Sequence, residues 1–295
     1  MKKPLFTGSA VAIVTPFRDN DLIDFDKLGE LIDNQVENGT SAIIICGTTG
    51  EASTLSTPEH LAAIEFAVKK TDGRVPVIAG TGSNHTPHAL EMSKSAEESG
   101  ADGLLIVTPY YNKTSPHGLV AHYNYIADRV NIPIVLYNVP SRTGMSFTAP
   151  MYAELAKHPN VIGVKEASGN FSLLSETMAL CPDDFYVWSG NDDVVVPLMS
   201  MGGLGVISVA ANIIPHDMAE MCRLCLAGDF KKASELQLGR LDLINALFME
   251  VNPVPIKAAM NLMGMRVGHL RMPLCDMTPE HTEKLKRVLK KAGLL

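Results

Sequence analysis

The chain has 295 residues, 46% of them hydrophobic and 19% charged. That is enough apolar material for a large core, which excludes intrinsic disorder. Lys+Arg of 25 against Asp+Glu of 32 leaves a net charge of −7, and a mildly acidic surface argues against nucleic acid or an anionic membrane as the main partner.

At the N-terminus, Lys2 and Lys3 are not followed by an apolar run long enough for a secretion signal before Thr15-Pro16. No later stretch approaches the ~20 apolar residues of a membrane span. Short β-branched runs then recur at Ala10–Thr15, Ala42–Cys46, Val75–Ala79, Leu104–Val107, Ile132–Tyr137, Val161–Lys165, Phe185–Ser189 and Val206–Val209. Each is apolar on both faces and bounded by Gly, Pro or Thr, as in the strands of a buried parallel sheet. Helical patterns lie between them, at Asp24–Asn38, Thr57–Lys70, Pro87–Ser99 and Pro116–Val130. Ser56 with Glu59 spells a capping box at the start of the second.

Eight β/α units with no linker between them favour a closed (β/α)8 TIM barrel. The rival is an open doubly wound sheet, but no G-x-G-x-x-G follows the first strand. Three more helices are predicted near Asp229–Glu250, Pro255–Met263 and Thr278–Ala292. The expected organisation is therefore a catalytic barrel over residues 1–226 and a C-terminal helical region over 227–295. That region packs on the side of the barrel or builds a subunit contact.

The five cysteines, an odd number in a long core-rich chain, suggest a reduced, cytoplasmic protein. Cys222 and Cys225 form a C-x-x-C inside a helical pattern, without the second pair or nearby His that a zinc site needs. Helix packing is the plainer reading. No H-x-H, H-E-x-x-H or G-x-S-x-G occurs, and the nine His are scattered, which disfavours metal-dependent or serine-nucleophile chemistry. Met201-Gly202-Gly203-Leu204-Gly205 precedes the eighth strand, the wrong end of a barrel for phosphate binding.

Barrel chemistry lies where strands end, and four segments there carry polar groups. Lys165 closes the sixth run. Strand alternation puts Val161, Gly163 and Lys165 on one face and Ile162 and Val164 on the helix-covered face. Burial disfavours a charged amine, and a neutral amine in a dry pocket is what imine formation requires. A strand-terminal Lys that snorkels to water fits the pattern equally. Gly47-Thr48-Thr49-Gly50-Glu51 after the second strand offers backbone N–H groups and two hydroxyls, suited to a carboxylate or phosphate, or makes an ordinary turn. In Tyr137-Asn138-Val139-Pro140-Ser141-Arg142-Thr143-Gly144 the phenol can point inward and move protons, and Arg142 in a turn can hold a carboxylate. The alternative is a packed Tyr and a surface Arg. The neighbours Tyr110 and Tyr111, in Thr108-Pro109-Tyr110-Tyr111-Asn112, point in different directions, one into the core and the other toward a contact.

Three of these motifs together, over the whole chain, resemble the dihydrodipicolinate synthase and N-acetylneuraminate lyase superfamily of class I aldolases, and the synthase branch more closely. Thr-Pro-Tyr-Tyr-Asn, Asn-Val-Pro-Ser-Arg-Thr-Gly and the terminal Lys-Lys-Ala-Gly-Leu-Leu fit that branch. The resemblance implies that Lys165 forms an imine with pyruvate, whose carboxylate meets Thr48 and Thr49. The derived enamine attacks L-aspartate 4-semialdehyde, on the diaminopimelate route to lysine. Tyr137, Thr48 and a neighbouring subunit's Tyr111 would relay protons. Arg142 would bind the semialdehyde carboxylate, and Gly190 and Ile207 would line the pocket. It implies no cofactor, because the protonated imine is itself the electron sink, and a homotetramer built as a dimer of dimers.

Many superfamily members are inhibited by L-lysine at a dimer interface, where Ala52, Ser53, Thr57, His60, Asn84, His88 and Tyr110 correspond. Inhibited members usually carry Glu where His88 stands and often His where Thr57 stands, so feedback here is expected to be weak or absent. The alternative activity is another pyruvate-dependent aldolase or dehydratase acting on a sugar acid. N-acetylneuraminate and 2-keto-3-deoxygluconate are examples of such acids, and the resemblance implies that the paired Thr48-Thr49 and Arg142 argue against the lyase acting on the first.

Overall fold

The computed structural model describes residues 1–295. Eight parallel strands close into a barrel in sequence order. They are β1 (Gly8–Ala12), β2 (Ala42–Ile45), β3 (Val77–Gly80), β4 (Gly103–Val107), β5 (Ile134–Asn138), β6 (Val161–Glu166), β7 (Tyr186–Ser189) and β8 (Gly205–Ser208). β8 returns to pair with β1, from Gly8 opposite Gly205 to Val11 opposite Ser208. All eight strands fall on the runs read from the sequence. β1 stops short of Thr15 because the Val14 N–H turns to the Asn212 side chain at 3.2 Å.

The four helices anticipated between the early strands form at Phe25–Glu37, Thr57–Thr71, Thr86–Glu98 and Pro116–Ala127. Asp24 caps the first by accepting from the Lys27 N–H at 3.1 Å. At the second, Glu59 reaches back to the Ser56 N–H at 2.9 Å, as the capping box predicts. Cys222 and Cys225 are free, buried thiols in the helix Pro215–Leu226. Burial pushes the Cys225 thiol up to about 11, so these cysteines pack rather than react.

The strands divide two cores. Inside the barrel, Ala10, Ala12 and Ala42 leave room for Ile44, Leu105 and Trp188. Phe6 stacks on Trp188 at 5.1 Å and closes the N-terminal end. Outside, the alternate strand residues join the surrounding helices in one cluster of 68 buried residues. That cluster includes Leu243, Ile244, Met260 and Leu285 from the C-terminal helices Phe230–Ala246, Val254–Leu262 and Pro279–Lys291.

One strand departs from simple alternation. Ile134 pairs with Val161, but Val135 pairs with Gly163, so Ile162 is passed over. Val161 therefore faces the helices and Ile162 faces the barrel interior, the reverse of what period two predicts. The irregularity resets the register above it. Lys165 then pairs with Tyr137 on one side and Trp188 on the other, both interior residues. Gly163 sits at this step because a Cβ there would lie 2.0 Å from the Tyr186 carbonyl.

Candidate active site

A cleft of 390 Å³ opens at the C-terminal ends of β2, β3, β4 and β5; Lys165, Thr49, Gly190 and Ile207 are not among the residues that line it. Its walls include Thr48 after β2, Val107 at the end of β4 with Tyr110 beyond it, and Tyr137 near the end of β5 with Val139 and Arg142 beyond it. Lys165 is 6% exposed at the end of β6. Its Nζ lies 4.4 Å from the centre of the Tyr137 ring, and it makes neither a hydrogen bond nor an ion pair within the protein. Its aliphatic stem runs past Gly190. A Cβ at that position would come within 3.1 Å of Lys165 Cε and 2.6 Å of the Ala167 Cβ. Any larger residue there would displace the amine.

Lys165 is held from the far side of its strand. Its neighbour Glu166 points outward, where the carboxylate accepts from Asn138 Nδ2 at 3.1 Å, the Tyr152 hydroxyl at 2.9 Å and the Ser168 N–H at 2.7 Å. Three donors saturate that carboxylate and fix the strand end. Asp192, after β7, is also buried. Its Oδ2 accepts from the N–H groups of Val209 and Ala210 at 3.0 and 2.9 Å, while Oδ1 has no partner. Burial raises the Asp192 pKa against the pull of these bonds and of the Lys165 charge.

The turn after β2 is anchored at several points. Thr15 donates to the Gly50 carbonyl at 2.6 Å. Thr49, 2% exposed, accepts from Asn252 Nδ2 at 3.0 Å. The carbonyl of the same Asn252 accepts from the Arg142 guanidinium at 2.9 Å. Asn252 therefore ties Thr49 and Arg142 together from behind, and its own Oδ1 is left unpartnered. The sequence reading missed Asn252. It lies far from any strand end, and Asn252-Pro253 reads simply as the entry to a helix.

Arg142 sits on a one-turn helix, Pro140–Thr143, rather than in an open turn. Ile207 is fully buried in the barrel interior. Tyr111 does not join the site of its own chain: it is 92% exposed with a left-handed backbone, φ +68°. Tyr110 lines the cleft but is itself 37% exposed, so neither tyrosine enters the core as the sequence suggested for one of them, and Tyr111 is the more outward. Ser53, Thr57, His60 and His88 line the other side of this cleft. His60 Nε2 lies 2.8 Å from the Gly80 carbonyl, and burial lowers its pKa. No three His, Cys, Asp or Glu side chains gather as a ligand set for a metal ion, and no helix is long and apolar enough to cross a membrane.

A model of the dihydrodipicolinate synthetase family matches residues 5–292. Over 293 residues the chain is 56% identical to the 4-hydroxy-tetrahydrodipicolinate synthase of Thermoanaerobacter sp. strain X514, spanning 99% of this chain and 98% of that one. The structure of dihydrodipicolinate synthase from Aquifex aeolicus is 45% identical and superposes with a TM-score of 0.96 over 98% and 99% of the two chains. A monomeric dihydrodipicolinate synthase variant, 42% identical, gives the same TM-score over 99% and 98%.

Proposed function

The chain belongs to the dihydrodipicolinate synthetase family and is a lyase with the 4-hydroxy-tetrahydrodipicolinate synthase activity of that family; on this premise we propose how its residues divide the work. Lys165 Nζ adds to the keto carbon of pyruvate and water leaves, giving a protonated imine. Loss of a proton from the adjacent methyl carbon gives the enamine, with the iminium nitrogen as electron sink. The enamine carbon attacks the aldehyde of L-aspartate 4-semialdehyde and forms the new carbon–carbon bond. The amine of the semialdehyde then attacks the imine carbon, closes the ring and releases Lys165 as a free amine.

Tyr137 and Thr48, with Tyr111 of the partner subunit, carry the protons these steps move. Thr48 and Thr49 hold the pyruvate carboxylate, and Arg142 holds that of the semialdehyde through paired hydrogen bonds. Gly190 and Ile207 shape the pocket beside the amine. The 92% exposure of Tyr111 supports its service to a neighbour and hence self-association. We propose the homotetramer, two dimers paired, with residues 227–295 supporting the catalytic barrel of residues 1–226 in the cytoplasm. A sedimentation measurement that finds only monomers in an active preparation overturns that assembly.

The observation that carries the mechanism is a buried amine at a barrel mouth, unpartnered and set against a tyrosine ring. Borohydride reduction in the presence of pyruvate, followed by peptide mapping, tests it. A mass increase is expected on the peptide containing Lys165, and its absence there would refute the assignment. His88 and Thr57 on the cleft wall support weak or absent feedback by lysine. Clear inhibition of initial rates by submillimolar L-lysine contradicts that proposal.

A further inference from the structure

Lys257 is the one charged residue of its helix, Val-Pro-Ile-Lys-Ala-Ala-Met-Asn-Leu, and it is 1% exposed. Its Nζ lies 2.8 Å from Glu51 Oε1, on a side chain 0% exposed. It also donates to the carbonyls of Thr15, at 3.1 Å, and His269. Three acceptors match the three N–H bonds of an ammonium group, whereas a neutral amine would leave one acceptor unserved. The second Glu51 oxygen accepts from the Arg271 backbone N–H at 2.9 Å. The Phe17 ring covers Nζ at 4.5 Å. Burial pulls the Lys257 pKa down, and Glu51 opposes it.

A buried ion pair is a poor route to stability, because apolar residues of similar volume usually serve as well or better. What this pair holds is the end of the turn after β2. Glu51 has a left-handed backbone, φ 54° and ψ 34°, a conformation that is costly for a non-glycine residue. In that conformation its N–H bonds to the Thr48 carbonyl at 3.1 Å, as Gly50 does to Gly47 at 3.1 Å. The direction of the Thr48 and Thr49 N–H groups therefore depends on Glu51 staying where it is. Thr15 contacts both ends of the arrangement, since its carbonyl accepts from the Lys257 ammonium and its hydroxyl donates to the Gly50 carbonyl.

We infer that the Lys257–Glu51 pair is a positioning device for the turn Gly47–Glu51. It touches no substrate. It locks the left-handed end of the turn, and so sets how tightly the turn grips the carboxylate of the keto acid. The inference rests on the proposed role of Thr48 and Thr49 in holding that carboxylate.

The experiment is borohydride trapping of Lys165 at increasing pyruvate, alongside steady-state kinetics, in full-length protein. Glu51→Gln keeps the shape and removes the charge. Its half-saturating pyruvate for trapping is expected to rise about tenfold, the loss of a charge-assisted hydrogen bond. KM for pyruvate should rise in parallel, with a much smaller change in kcat. The double variant Glu51→Leu/Lys257→Met is expected to melt close to the parent yet bind pyruvate as poorly as Glu51→Gln. A structural role alone predicts that the double variant regains affinity together with stability, and that result overturns the inference. So does a Glu51→Gln protein whose half-saturation is unchanged, even should the double variant fail to fold. Failure of the parent to trap pyruvate at all would instead sink the assignment of the site.

Discussion

Lys165 and Lys257 are both buried, at 6% and 1% exposure, within one barrel and its supporting helices. Their surroundings differ in kind. Every proton of the Lys257 ammonium has an acceptor, and a carboxylate balances its charge. Lys165 has no hydrogen-bond partner: a ring face lies beside it, the buried Asp192 carboxylate acts on it only through its charge, and its neighbour in sequence, Glu166, is turned outward and saturated by other donors. Burial with partners makes a lysine inert and structural; burial without them leaves an amine free to form a bond. The contrast also explains why a buried lysine alone is weak support for catalysis.

Removing each amine should break the comparison in opposite directions. Lys165→Ala is expected to abolish the pyruvate adduct and lower kcat by on the order of 10³-fold or more, as loss of a covalent catalyst does. Its melting temperature should fall less than that of Lys257→Met, because packing is lost but no hydrogen bond or ion pair is broken. Lys257→Met strands the Glu51 carboxylate. Breaking a buried pair in this way costs about 3–5 kcal/mol, so the melting temperature should fall by roughly 10 °C. If calorimetry instead finds Lys165→Ala the less stable protein, the assignment of roles is reversed.

Arg142 sharpens the distinction between holding substrate and holding the protein. Its guanidinium is exposed at the cleft yet leans on the Asn252 carbonyl. Arg142→Ala is expected to raise KM for the semialdehyde about thirtyfold, the worth of a hydrogen bond to a charged group. Half-saturating pyruvate in the trapping assay should change by less than about threefold. Equal losses on both substrates would show that Arg142 acts by bracing Asn252 and Thr49.

The strands were legible because each is a short apolar run between breakers, and Lys165 stood out as the one charge closing such a run. Alternation failed only at Val161 and Ile162, where a register step between neighbouring strands reverses the two faces. That step depends on pairing with β5 and leaves no mark in local periodicity. The supports behind the site were hidden for a related reason. Glu51 was visible only as part of a turn, and its partner stands 206 residues away. A single lysine in an otherwise apolar helical stretch was the available signal, since such a residue must find an acceptor once buried. Which acceptor it finds is a property of the closed barrel.

The smallest expected effect concerns the outer end of the same support. Arg271, whose N–H reaches Glu51, sends its guanidinium to Glu59 at 2.5 Å and to Asp21 at 3.1 Å. The bond to Arg271, with help from the Ser56 N–H, holds the Glu59 carboxyl down to about 2. A carboxyl held low when folded binds a proton more readily once unfolded, near pH 4.3. The stabilisation it gives is thus present above that value and fades as pH falls toward 2. Glu59 is 28% exposed, so solvent screening keeps the contribution below about 1 kcal/mol, well under that of the buried pair. Urea midpoints of the parent and Glu59→Gln should differ slightly at pH 7, draw together below pH 4.3 and coincide only as pH falls to about 2. In Glu51→Gln the pyruvate defect should persist at neutral pH whatever happens at Glu59. A Glu59→Gln protein that weakens pyruvate trapping as much as Glu51→Gln does would mean that the turn is held from the surface, not from the buried ammonium.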